Sequence, residues 1–583
     1  MSVHSTSTSR GAAEDSLAID RQDETSAPSS ESEKDVSNIE SQEPAEAPGF
    51  RRGFRFWAVI VGLAIAQFQA SLEHSVVVTS GPTIVDDLQM GEEYIWITNA
   101  FFVCSAALQP LLGQFCNVFG RRWLMLLVTA LFMLGSGICG GATSGAMLIA
   151  GRAVQGAGSG GIIMIVEIVL GDMVPLRQRG NYLAVILAVY TVGMTLGPFI
   201  GGAIVETTTW RWVFYINLPI GGVALVVLYL FLHVNYNKSE TVMQKLRRID
   251  WVGNGVLMAG TIAMLYALAY AGGKYAWTAW QVLFPLILGF VLIVICAIWE
   301  TYGPAAEPVI PPKLLKHRTS LIVAITTFLH SILVFWILYF LPISFQAVLL
   351  FSPERTGVAL LPLTLIALPG AALSAMAVSR WGKFKMLHLV GFAIFTLGFG
   401  LYSMQWEGTT TAEWATFQSI SALGGGIVLD TLLPAFQAPV PESDQAATTA
   451  TWCFIRTVGN VWGVAIPATI FNNRINQLTH TISDPAAASL LYGGGAYQHA
   501  SASFINSFDE PIRGEIRAVY REALKLTFLI GVAFGGLACL LTILEKEIKL
   551  RKDLETEYGL KDSSKERKEG EVDAQAPERQ TTS

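Results

Sequence analysis

Fourteen runs of about 20 predominantly apolar residues constrain this chain more than any other feature of its sequence. A helix of about 20 residues crosses a hydrocarbon slab ~30 Å thick. The runs fall at roughly 56–80, 95–115, 122–141, 145–170, 181–205, 211–233, 251–272, 279–299, 320–347, 355–378, 385–404, 412–436, 447–471 and 524–544. Backbone groups in lipid must bond within their own segment, so each run is predicted to be a helix. A membrane barrel would show shorter segments of alternating polarity instead. Charged residues make up 14% of the 583, against about 25% in a soluble chain. A soluble enzyme is excluded, and the expected class is an all-α integral membrane protein.

The net charge of −6 averages unlike regions. Residues 1–50 hold eleven acids and three bases, and the chain from Lys546 to Ser583 is a charged mixture. Both ends, 1–54 and 546–583, are expected to be disordered cytoplasmic tails. No n-region and short h-region open the chain, so no cleaved signal peptide is expected. Cys104, Cys116, Cys139, Cys296, Cys453 and Cys539 all sit inside apolar runs, without metal-ligand spacing. They are expected to pack, and no metal or other cofactor is expected.

Lys and Arg set the orientation. With a cytoplasmic N-terminus, the inner flanks and loops carry Arg51, Arg52, Arg55, Arg121, Arg122, Arg177, Arg179, Lys238, Lys245, Arg247, Arg248, Lys313, Lys316, Arg318, Arg380, Lys383 and Lys385. The short outer loops carry only Arg211, Lys274 and Arg355, although the inner loop Pro439–Ala446 has no base. The segment 472–523 is then an outer loop, with an amphipathic helix predicted at Ile512–Leu524. The glycosylation sequon Asn237-Lys-Ser falls inside, where it is silent.

A weak internal repeat divides the chain. Gly113-x6-Gly120-Arg121-Arg122 after the second run recurs, degraded, as Ala375-x6-Gly382-Lys383 after the tenth. The expected organisation is a six-helix half at 55–234, a linker with an inserted helix pair at 235–300, and a second six-helix half at 301–545.

Four stretches resemble the major facilitator superfamily, specifically its fourteen-helix drug:proton antiporters as found in fungi. Gly113-Gln-Phe-Cys-Asn117-Val-Phe-Gly120-Arg121-Arg122 is similar to the loop motif after helix 2. Arg152-x-x-Gln155-Gly156-x-Gly158 is similar to the helix 4 motif associated with proton transfer. Gly193-x3-Gly197-Pro198-x2-Gly201-Gly202 is similar to the helix 5 antiporter motif, and Trp210-Arg-Trp-Val-Phe-Tyr-Ile-Asn-Leu-Pro219-Ile-Gly221 follows it as in the fourteen-helix branch. The likeness extends through Tyr339-Phe-Leu-Pro342-Ile-Ser-Phe-Gln346 and Phe454-Ile-Arg456-Thr-Val-Gly459 and covers nearly all of 55–545. Two positions depart from the family pattern. Asn117 stands where the loop motif usually has Asp, and Glu73, in Leu72-Glu73-His74-Ser75-Val76-Val77, where helix 1 usually has Asp. The resemblance implies a major facilitator fold, with helices 1, 4, 9 and 12 around a central cavity and 3, 6, 11 and 14 outermost.

A proton-driven exporter needs a carboxylate that titrates inside the membrane, where an ionised acid costs several kcal/mol. The ionisable side chains that stand out inside the apolar runs are Glu73, Arg152, Glu167, His330, Asp430 and Arg456, with His388 near the inner end of helix 11. Proton coupling is assigned to Glu73, Arg152, Asp430 and Glu167, with Glu73 foremost. The rival for Glu73 is a permanent structural ion pair. Glu167 could instead satisfy Arg121 or Arg122 at the inner gate, Asp430 and Arg456 could form a structural pair, and His330 could be a satisfied polar residue. Gly193, Gly197 and Gly201 form a bare stripe that lets another helix approach closely, and Pro198 permits a kink. Gly156, Gly158, Gly160 and Gly161 do the same in helix 4. Asn99, Phe101, Phe102, Tyr190, Trp336, Tyr339, Gln346 and Trp452 are candidates for the wall of a substrate cavity, each with lipid contact or packing as its alternative.

The expected function is proton-coupled export of small organic molecules (drugs, toxins or secondary metabolites) by a monomer at the plasma membrane, with the vacuolar or another internal membrane as the alternative. Its partners are the substrate, protons and the bilayer, with no nucleic acid. A siderophore or nutrient transporter of the same fold is the main rival, against which the resemblance of the helix 5 motif to exporters tells. A polytopic enzyme or receptor would need a catalytic constellation, and the eight histidines are scattered. An ATP-driven pump is excluded by the lack of a Gly-x4-Gly-Lys-Ser/Thr loop.

Overall fold

The computed structural model describes residues 53–90, 95–233, 241–271, 275–303, 307–441 and 444–551. The tail assignments at 1–52 and 552–583 and the sequon at Asn237 lie outside the described residues, as does the side chain of Pro198. Among the described residues, fourteen helices are long and apolar enough to span a membrane. They are α1 (Phe54–Asp87), α2 (Ile95–Phe119), α3 (Arg121–Gly140), α4 (Gly145–Met173) and α5 (Leu176–Thr207). Next come α6 (Trp212–Phe231), α7 (Trp251–Tyr270), α8 (Trp280–Tyr302), α9 (Arg318–Ile343) and α10 (Leu361–Trp381). The last four are α11 (Lys385–Tyr402), α12 (Thr411–Gln437), α13 (Gln445–Leu478) and α14 (Ile512–Ile543). Among the described residues the only β pairing is two isolated bridges. The fold is an all-α membrane bundle.

The same neighbours recur eight helices apart. α1 packs on α5 and α6 as α9 packs on α13 and α14. α4 lies between α2 and α3 as α12 lies between α10 and α11. The seams between the two sets are also a matched pair, α5 with α10 and α2 with α13. An offset of eight is six plus the pair α7 and α8, which pack on each other, with α7 leaning on α2. Phe284, Ile287, Val291, Val294 and Ile298 of α8 are exposed. Apolar groups on the outside and polar groups toward the middle are what lipid as solvent demands.

Glycines set the close approaches. A Cβ on Gly197 would lie 1.9 Å from Ser75 Oγ and 2.9 Å from the Val76 backbone nitrogen, and one on Gly193 would lie 2.0 Å from Ser71 Oγ. The α5 stripe therefore meets a serine stripe on α1 at the same spacing of four. Gly202 faces open space. In α4, Gly156 and Gly160 meet the α2 backbone at Phe101 and Ser105, while Gly158 and Gly161 meet α3. Extra methylenes in a close-packed site cost about 1–3 kcal/mol, and Gly197→Leu adds four heavy atoms against backbone. We expect this variant to lose transport and thermal stability in detergent while Gly202→Ala, facing open space, matches the parent. A Gly197→Leu protein with parental activity would show that α1 and α5 do not meet there.

The segment after α13 differs from expectation. The amphipathic helix expected at Ile512–Leu524 and the span expected at 524–544 are one helix, α14. Ile516, Val519, Tyr520 and Ala523 in its first turns are buried, with Tyr520 donating to Ala496 O at 2.6 Å. Leu491, Ala496 and Ile505 are buried in the same cluster as Phe340 and Phe471. That burial lets the helix run on past the slab, and the residues read as loop form an apolar cap with short helices at Pro485–Leu491 and Ala502–Ile505.

Candidate functional site

Two glycines aim α12. Gly424 lies against the Phe395 backbone of α11, and Gly426 against the Ala367 carbonyl of α10. Pinned on two sides, α12 turns Leu429, Asp430 and Leu433 into a cavity of about 200 Å³ between the two sets of helices. Its other walls come from α1 (Gln67, His74), α2 (Phe102, Ser105, Gln109), α4 (Ile163, Glu167), α5 (Leu187, Tyr190), α9 (His330, Phe335) and α13 (Trp452, Arg456, Thr457, Asn460). Asp430 is 5% exposed, and its Oδ2 has no hydrogen-bond partner. The α5 backbone comes close to it, since a Cβ on Gly180 would lie 2.9 Å from that oxygen.

Arg456 does not pair with Asp430, the partner that the sequence allowed for it. It reaches across to α4, with Nη1 3.1 Å from Glu167 Oε1, while its guanidinium lies 4.5 Å from the Trp452 ring centre. Cys453 Sγ donates to the other Glu167 oxygen at 3.1 Å. Glu167 therefore does not serve Arg121 or Arg122. Arg121 pairs with Asp172 at 2.7 Å, and Arg122 donates to Tyr229 O at 2.7 Å. Both alternatives fail for one reason: the partner that bonds is the one a neighbouring helix brings to the same depth.

Glu73 has a different setting. On a helix turning about 100° per residue, Ser71 and Ser75 face α5, so Glu73 points away from it, toward α4 and α6. There it is fully buried and bonded to Arg152. Asn217 Nδ2 donates to its second oxygen at 2.6 Å. Arg152 also donates to Gln155 Oε1 at 2.6 Å and to Ile97 O at 2.8 Å, and stacks 4.3 Å from the centre of the Phe101 ring. α6 runs through Ile216 with helical backbone (φ −59°, ψ −26°) and so brings Asn217 to the carboxylate. Glu73 is not among the cavity-lining residues, whereas its neighbour His74 is. His74 Nδ1 is 3.1 Å from Tyr190 OH, and the ring packs edge-on against Phe101.

Of the wall residues expected from sequence, Phe102, Tyr190 and Trp452 line the cavity. Trp336 does not: it is fully buried against Phe399 and Phe534. Tyr339 stacks on Phe335, Gln346 lies in the π-helical extension of α9, Ser344–Val348, and Asn99 is half-buried in α2. None of these three is among the lining residues. His330 bonds to Gly425 O at 3.1 Å. Sequence reasoning assigned no role to His74, Gln67, Gln109 or Asn460. Their signal was polarity inside an apolar run, which is weak for a single amide or imidazole.

At the end of the bundle where α4 runs into α5, arginines from the start of α5 tie the two sets of helices together. Arg177 Nε donates to Ser379 O at 2.7 Å, and its Nη2 reaches Arg380 O. Arg179 is fully buried, bonded to Gln437 and, at 2.9 Å, to Gln445. Gln437 is seven residues beyond Asp430 and so on the same face of α12. Gly113 stands at the other seam, where a Cβ would lie 2.5 Å from that of Ala450. Asn117 is half-buried near the C-terminal end of α2.

The model of the Major Facilitator Superfamily matches residues 63–464. The chain belongs to the major facilitator superfamily. It is 51% identical over 526 residues to the MFS-type transporter TwmF of Talaromyces wortmannii, covering 90% of this chain and 96% of that one. It is 42% identical to the MFS efflux transporter aclA of Aspergillus oryzae, covering 90% and 95%. To the efflux pump FUS6 of Gibberella fujikuroi it is 38% identical, covering 91% and 95%. The crystal structure of the human organic anion transporter MFSD10 superposes with a TM-score of 0.55 at 14% identity, over 83% of this chain and 99% of that one. At that identity the likeness speaks for the fold alone. This major facilitator protein is a multi-pass membrane transporter. Its branch motif at Trp210 ties α1 to the start of α6, since the Trp210 indole donates to Asp87 at 2.9 Å, with Arg211 3.3 Å away. Beyond the spanning part of α1, these groups hold the Asp87 carboxyl below its usual range.

Proposed function

We propose that the protein is a proton-coupled exporter of small, largely apolar organic molecules at the plasma membrane, and that Asp430 carries the exchangeable proton. The observation that carries this reading is a carboxylate with an unbonded oxygen in an aromatic-walled cavity between the two halves. An acid already held by an arginine and an amide, such as Glu73, has less reason to change charge during a cycle. Relatives named as efflux transporters support the direction.

The arrangement suggests how the coupling runs. With the inner side closed, Asp430 takes a proton from outside, which removes the cost of an unpaired charge as the cavity dehydrates. Opening inward parts α4 from α13 and breaks the Glu167–Arg456 pair. Arg456 and Asp430 belong to the same half, so Arg456 then becomes available to Asp430. Its positive charge favours release of the proton to the cytoplasm, and substrate entering from the cytoplasm displaces that pairing. The working unit in this reading is a monomer. Glu73, Arg152 and Asn217 position α1 against α4 and α6.

Inside-out vesicles with an acidic lumen, offered a panel of neutral and cationic aromatic compounds, test this. Accumulation that a protonophore collapses is expected. Accumulation that follows a sodium gradient and ignores pH would overturn the proposal.

A further inference from the structure

The loop motif of the first half and its degraded copy are held by different means. Gly120 and Gly382 both take positive φ, 86° and 68°, where an L side chain is strained. In the first half an acid from the end of α4, Asp172, secures the following Arg121. The end of α12, Thr431-Leu-Leu-Pro-Ala-Phe-Gln437, offers no acid. The carboxylates come instead from a strap after α14, Glu545–Arg551. Glu547 accepts the backbone N–H groups of Phe384 (3.0 Å) and Lys385 (3.1 Å) at the start of α11. Glu545 lies 2.9 Å from His388 Nδ1, both side chains fully buried. Lys546 and Thr319, at the start of α9, exchange bonds of 3.1 and 3.2 Å, and Leu550 is 2% exposed with its N–H 3.4 Å from Gly382 O.

Arg551 carries the strap across the seam. Its carbonyl accepts the N–H of Arg177 in α5 at 3.2 Å, and its guanidinium donates to Val440 O at 2.6 Å, in the loop between α12 and α13. Arg177 in turn binds the end of α10. One residue thus touches both halves at the end of the bundle where α4 runs into α5.

We propose that Glu545–Arg551 is a latch of the inner gate. Its acids dock it on the second half, in place of the acid that the degraded motif lacks. Arg551 holds α5 against that half, and this contact parts each time the carrier opens inward. The inference rests on the alternating movement of the halves and not on proton coupling.

Two measurements on the full chain, freed of its native cysteines, test the latch. In Arg177→Cys/Arg551→Cys, oxidation should join the two positions and stop transport, and reductant should restore it, while Arg177→Cys alone is indifferent to oxidation. In the second, Leu433→Cys reports from the cavity. Combining it with Arg551→Ala and Glu547→Gln, which undock the strap from the second half, should raise its labelling from the cytoplasmic side about fivefold, as expected when the Arg177–Arg551 hydrogen bond across the seam is lost with it. A pair that does not cross-link, a cross-linked protein that still transports, or unchanged labelling at 433 overturns the latch. The labelling needs neither substrate nor pH gradient, so its outcome stands apart from that of the exporter reading.

Discussion

Asp430→Asn is expected to abolish pH-driven accumulation while the protein inserts, folds and still exchanges substrate. The variant keeps the size of the side chain and removes its proton. No ion pair is broken, because Asp430 has none among the described residues, and its Oδ2 has no hydrogen-bond partner to lose. The change therefore avoids the usual cost of a buried polar substitution, an orphaned partner. A gradient of one pH unit supplies about 1.4 kcal/mol per proton, enough for about a tenfold concentration ratio at one-to-one exchange. In the variant that ratio should fall to one, whereas substrate–substrate counterflow, which needs no net proton movement, should persist. Uptake against lumenal pH with parallel counterflow makes the distinction. A variant that still concentrates substrate would pass the role to Glu167.

Glu73→Gln should fail differently. Removing the acid leaves Arg152, 2% exposed, as a buried charge without its carboxylate. Breaking a buried pair on one side costs about 3–5 kcal/mol. We expect low yield and an aggregated profile on size exclusion, with partial recovery in Glu73→Gln/Arg152→Gln, where no charge is stranded. Glu73→Asp should be intermediate, because the shorter side chain cannot reach both Arg152 and Asn217. A monodisperse Glu73→Gln protein that binds substrate but has lost pH-driven accumulation would make Glu73 the proton carrier instead. The two variants thus separate an acid that holds the fold from one that works in the cycle.

Much of the site was legible as a set of residues and little of it as a geometry. Glu167, Asp430, Arg456 and His330 stood out because a charge or imidazole in an apolar run has few reasons to be there. All four line the cavity. His74 carries no separate mark in the sequence, because it adjoins the acid at the motif position of helix 1. Its mid-helix place makes Trp336 a candidate wall residue, but helical position does not say which face meets the cavity, and its face meets Phe399 and Phe534. The α5 glycine stripe was legible as a close contact, and the structure adds its partner, the serines of α1.

Solvent, number of spans and class of fold are written in the order of the residues alone. Those follow from local rules: hydrocarbon sets the length of each run, and a backbone in lipid must satisfy itself. The family is written there too, in short motifs whose glycines and arginines are read in place. Which charges meet is settled in three dimensions. Arg456 pairs with Glu167 rather than Asp430, Arg121 with Asp172 rather than Glu167, and the acids at the start of α11 arrive from Glu545 and Glu547 beyond the last span. Such pairs join helices far apart in the chain. Their partners are chosen by depth in the bundle and by which glycines let two helices touch, and neither is encoded in the spacing of one segment.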